Sequence, residues 1–188
     1  MVAYDTRLDW LQKHVQDMLA VETHILDLLR RHKDHEVAIA PTAAAVLLAG
    51  ERLLSHHVGV LENYLEGIGG SVGGGLKRAV ATFTGALGGL YARMREHEAS
   101  RFLRDLYASL SLAAISYEML HTAALAHRER RLAEIALSHL RDITPLIVDM
   151  SKLVPHVVAH EVAEHEGATI DVGDEAESNT HQAWARSG

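Results

Sequence analysis

The sequence predicts an all-α protein, a four-helix bundle built from two antiparallel hairpins joined by a long crossover that contains a short helix. Three observations lead there. Apolar residues recur in steps of three and four along four long runs, the spacing of one helix face. Few residues separate the first run from the second, or the third from the fourth, so each pair folds back on itself. About thirty residues, opening with Gly67, Gly69, Gly70, Gly73, Gly74 and Gly75, separate the second run from the third, enough to return the chain to its starting end. Composition agrees, since aromatics make up only 5% while Ala and Leu are abundant, and no run reads as a strand.

The first helix is expected from about Thr6 to Arg31, capped by Asp5 or Thr6, with Leu8, Leu11, Val15, Met18, Glu22, Ile25 and Leu29 on one face. Pro41 fits the first turn of a second helix, Thr42 to about Glu66, whose stripe is Leu47, Gly50, Leu54, His57, Leu61, Tyr64 and Ile68. A shorter amphipathic piece, Leu76 to Met94, belongs to the crossover. The third long helix covers about Glu98 to Ala126, and His127 to Arg131 forms a polar turn. A fourth helix, about Leu132 to Leu153, carries Leu132, Ala136, His139, Ile143, Leu146, Met150 and Leu153, with a kink expected at Pro145. The bundle is assigned to residues 1–166. An acidic, polar tail that is expected to be loosely held makes up 167–188. Short turns make neighbours antiparallel and the long connection makes the second and third helices parallel, which is the ferritin-like arrangement.

Glu22 stands where every stripe neighbour is apolar. A carboxylate buried alone costs several kcal/mol, so it should be protonated, paired or metal-bound. His57, Glu118 with His121, and His139 hold comparable places in the other runs. Helical rise puts Glu22, His57, Glu118 and His139 in one layer of the core. Glu118-x-x-His121 has the spacing that points two ligands at one metal, and His139 with Asp142 forms a mirrored pair. The expected metal ligands are therefore Glu22, His57, Glu118, His121, His139 and Asp142. Oxygen and imidazole donors without thiolate suit iron, manganese or zinc. An inward His is more often a hydrogen-bonded core residue than a ligand, so a metal-free bundle is the alternative. A full dinuclear site would need a carboxylate on every helix, and the second helix offers Leu54 three residues before His57.

Other chemistries fail on residue type or spacing. The absence of cysteine excludes disulfides, thiolate clusters and cysteine nucleophiles. A net charge of -7 disfavours a nucleic-acid partner. His160-Glu161-Val162-Ala163-Glu164-His165 has its second His one residue too late for the zinc-protease pattern. In the glycine segment Leu76 precedes Lys77, so no phosphate loop forms. The amino-terminal residues lack the apolar core of a signal peptide. Leu106 to Ala126, although nearly uncharged, holds too many Ser, Tyr, His and Thr for a membrane span. A cytoplasmic location follows as the expectation. Apolar residues on a second face of the second helix, Val46, Leu53 and Val60, predict a homodimer.

Over residues 6–153 the chain resembles the bacterial ferritin-like family typified by the YciE and YciF stress proteins. Asp17 to Leu26, with its Glu22, resembles that family's first-helix signature. Leu61-Glu62 before Ile68-Gly69 is similar to the end of its second helix, Tyr117-Glu118 to part of its third, and Leu140-Arg141-Asp142 to the acidic part of its fourth. In this register the family's second-helix His falls at Gly50 and its leading third-helix Glu at Ile115, neither of which can ligate. Glu22 and Glu118 carry over. The resemblance implies a metal-binding, self-associating, stress-linked bundle with no firmly assigned reaction. The first expectation for this chain is a bundle that binds one or two divalent metals, iron or manganese, in its core, with weak oxidase or peroxide-scavenging chemistry. The alternative is a metal-free bundle acting as an interaction or stress-associated protein.

Overall fold

A computed structural model describes residues 6–33, 41–71 and 99–185. These form five helices, α1 (Thr6–Lys33), α2 (Pro41–Gly67), α3 (Ala99–Ala126), α4 (Arg130–Glu166) and α5 (Gly173–Ala185), with no strand among the described residues. Outside their turns, the described residues are all helical. The crossover piece expected at Leu76–Met94 and the Asp5 cap lie outside the described residues.

Paired residues show how the four long helices lie against one another. Between α1 and α2, Gln12 donates to the Ile68 carbonyl at 2.8 Å, and Arg30 meets Glu51 at 3.6 Å. As the residue number rises on one helix it falls on the other, so the two are antiparallel. Ser100 with Glu161 and His121 with the Ala133 carbonyl show the same for α3 and α4. Trp10 beside His127 and Glu22 beside Tyr117 align α1 with α3, again antiparallel. Tyr64 under Arg131 and Gly50 against Leu146 do so for α2 and α4. It follows that α2 and α3 point the same way.

Each helix turns its apolar stripe to the shared interior. Leu11, Val15, Met18, Ile25 and Leu29 of α1 meet Leu54, Leu61 and Leu65 of α2, Leu103, Leu106, Leu110 and Leu120 of α3, and Leu132, Ile143 and Met150 of α4. Removing such surface from water stabilises by about 25 cal/mol per Å² of apolar area, the main term holding the helices together. The turn into α4 places Arg128 at φ 60°, and the Glu129 N–H closes the end of α3 on the Ala124 carbonyl at 2.8 Å.

The C-terminal third departs from expectation in two ways. First, α4, which already contains Pro145, continues past Leu153 through Pro155 and stops only at Gly167, which takes φ 62° and bonds the Ala163 carbonyl. Proline removes one backbone donor, but continuous packing of Met150, Leu153 and Val157 keeps the helix going. Second, the expected loose tail contains the 13-residue α5. It rests on α4 where Gly173 is buried; a Cβ there would lie 2.5 Å from His156 Nδ1. No described helix is long and apolar enough to cross a membrane.

Candidate metal centre

Three of the expected residues converge between α1, α2 and α4. One carboxylate oxygen of Glu22 on α1, one nitrogen of His57 on α2 and one of His139 on α4 all lie within 4.8 Å of one another. All three side chains are buried, so the α1, α2 and α4 stripes are aimed as their periodicity implies. Among the described residues no second group of this kind occurs. Residues of this centre could hold a metal ion.

The other three expected ligands fall elsewhere. Glu118 is exposed, contrary to the inward orientation expected of it, because α3 presents Tyr117 to the core and successive residues are about 100° apart around a helix. His121 is half-buried one turn further on and gives Nδ1 to the Ala133 carbonyl at 2.8 Å. Asp142 lies at the rim, its side chain 45% exposed, and reaches His57 Nε2 with Oδ2 at 3.3 Å. Ile115, where the resembled family would place a Glu, is also exposed. Gly50, where it would place a His, lies in the α2–α4 seam, and a Cβ there would come within 3.1 Å of Leu146 Cδ2.

Tyr117 was absent from the sequence-based set and occupies its middle. The phenol is fully buried, donates to Glu22 Oε1 at 2.6 Å and lies 2.8 Å from His139 Nδ1. Burial, reinforced by the neighbouring Glu22 charge and hydrogen bond, pushes its pKa well above the usual value for tyrosine. A signal existed in the sequence: Leu103, Leu106, Leu110, Ala113, Tyr117, Leu120 and Ala124 form a stripe in steps of three and four, and all are buried.

The remaining polar contacts fix protons as well as positions. Glu22 Oε1 also faces His57 Nδ1 at 3.0 Å. Both nitrogens of His57 therefore meet carboxylate oxygens. The His139 ring lies against that of His57, centroids 3.7 Å apart and planes within 3°. Burial first, then the charges of His57 and His56, lower the His139 pKa to about 3, which keeps that ring neutral. Glu22 Oε2 is buried and has no hydrogen-bond partner.

Stacking sets a condition on metal binding. An imidazole nitrogen donates in the plane of its ring, and two parallel planes share no point where an ion could sit. One ring must turn before both can ligate. His57 is the freer of the two, because its Asp142 contact is long and at the rim, whereas His139 is held by the fully buried Tyr117.

Comparison with known proteins finds no matching family model, no matching curated protein and no matching solved structure.

Proposed function

We propose that this protein is a ferritin-like helical bundle that binds a single divalent transition metal, iron or manganese, through Glu22, His57 and His139. The observation that carries this reading is the orphaned Glu22 Oε2. A buried carboxylate oxygen without a partner costs about 1–3 kcal/mol or more, and a cation beside two imidazoles supplies what it lacks. Two His and one carboxylate form the donor set of mononuclear non-haem iron sites, with positions left open for a small ligand. With Glu118 at the surface, Glu22 is the one buried carboxylate among the described residues, which suits one ion rather than two. Iron there would give access to dioxygen or peroxide chemistry in a cytoplasmic, stress-associated role. For self-association, Ile115, Met119 and Leu125 on the outer side of α3 are better exposed than Val46 and Leu53, which pack against the core.

A second reading is a metal-free bundle whose polar centre is a closed hydrogen-bonded cluster. The parallel stack of His57 on His139 and the pairing of three ring nitrogens favour it. Metal analysis of untagged protein, followed by anaerobic iron(II) addition monitored by absorbance, separates the two. The metal reading expects close to one iron or manganese per chain, lost in Glu22→Ala. Wild-type protein that is metal-free and refuses added iron and manganese would establish the closed cluster instead.

A further inference from the structure

We infer that Tyr117 is a positioning residue of this centre: by donating its only proton to Glu22, it holds His139 as the Nδ1–H tautomer and reserves His139 Nε2 as the donor atom for a ligand. The metal part of this inference rests on the reading above; the tautomer part does not.

The argument is an accounting of protons. A tyrosine hydroxyl has one hydrogen to give and lone pairs to accept with. Glu22 Oε1, at 2.6 Å, is a carboxylate oxygen and takes that hydrogen. His139 Nδ1, at 2.8 Å from the same phenol oxygen, must then be the donor in its own contact. A neutral ring protonated at Nδ1 has its lone pair at Nε2. Metal-binding histidines commonly have their second nitrogen fixed in this way by an outer partner, which selects the tautomer and orients the ring. The partner here is a phenol that also grips the carboxylate ligand. With Oε1 held by Tyr117 and His57, Oε2 is the free oxygen of Glu22. One hydroxyl thus selects the free donor atom on two residues of the trio. Phenylalanine would fill nearly the same space in the α3 stripe and could do neither.

Long-range proton–nitrogen correlation spectra of isotope-labelled, metal-free protein at neutral pH test this directly. In wild type, His139 is expected with Nδ1 protonated and Nε2 bare. In Tyr117→Phe the ring should shift toward the Nε2–H form, while circular dichroism stays that of wild type. Calorimetric titration with manganese(II) should then show affinity about 10–100-fold weaker in Tyr117→Phe than in wild type. A wild-type His139 protonated at Nε2 overturns the inference whatever the metal result, and so does a tautomer unchanged by Tyr117→Phe. Should that variant not fold, the wild-type tautomer still decides. Wild type with the expected tautomer but no manganese or iron binding would sink the metal reading alone, leaving Tyr117 as the residue that sets the His139 tautomer.

Discussion

Glu22 and His57 meet at 3.0 Å with neither side chain touching water; Glu177 of α5 and His156 of α4 meet at 2.9 Å with both reached by it. The residue types and distances match, and the surroundings do not. At the C-terminal end, a hydrogen bond from His156 holds Glu177 below the ordinary carboxylate range, and water screens the pair. His160 and Glu164, one turn further on, make a looser exposed contact at 3.7 Å. In the centre the pair is fixed by α1 and α2 on opposite sides and tied further to Tyr117, His139 and Asp142. Burial turns an ordinary ion pair into a network in which each member depends on the others.

The sharpest way to break this comparison is to delete the same carboxylate from both pairs. Glu22→Ala leaves His57 Nδ1 and the Tyr117 hydroxyl proton without their shared acceptor inside the core. Removing one member of a buried pair costs about 3–5 kcal/mol, which chemical denaturation would read as a large fall in midpoint. Glu177→Ala should leave the midpoint within experimental error. Equal effects from the two substitutions would mean that the central network carries no more weight than a surface contact.

The pH dependence should divide the two regions next. His139 takes up a proton near pH 3 in the folded chain and near 6.5 when unfolded. Below about 6.5 the unfolded chain therefore binds a proton that the fold refuses, so stability is full above that value and declines as pH falls toward 3. The lowered Glu177 pKa has the same sign but acts only below the ordinary carboxylate value of 4.5. Thermal melts from pH 7.5 to 5 should show a decline that is shallower in His139→Gln and unchanged in Glu177→Gln. An identical slope in wild type and His139→Gln would show that the buried imidazole is not the group responsible.

How much of the centre was legible depended on the contrast around each helix. On α1 the buried stripe through Glu22 is opposed by exposed Asp9, Lys13, Asp17 and Arg30, so its inward face is plain from the letters alone. The same holds for His57 and His139, whose stripes are apolar throughout. On α3 that contrast is missing: Ile115, Met119 and Leu125 face outward while Leu110, Ala113 and Leu120 face inward. With apolar residues on all sides, period alone does not separate the Glu118-x-x-His121 spacing from the Tyr117 stripe one residue earlier. Asp142 was placed in the right neighbourhood, but whether a rim residue reaches inward depends on rotamer and not on period. The long reach of α4 past Pro155 was hidden because helix propensity penalises proline, while packing on one face outweighs that penalty.

The smallest effects test the seam that presses the central residues together, using two glycines of one helix. Gly50 is buried where α2 meets α4, and a Cβ there would stand 3.1 Å from Leu146 Cδ2 and 3.7 Å from Leu29 Cδ1. Gly59, nine residues along, has nothing within 4 Å of the same built atom. Gly50→His, the residue type expected at this place from the family resemblance, must displace Leu146, and overpacking of this kind costs about 1–3 kcal/mol. Gly59→Ala replaces a flexible helix-interior glycine in open space and should stabilise by about 0.5–1 kcal/mol. Denaturation midpoints moving in opposite directions would support a tight seam beside a permissive surface on one helix. If Gly50→His left the midpoint unchanged, the α2–α4 contact would be loose enough to admit an imidazole, and His57 would no longer be held against His139 by a fixed approach of the two helices.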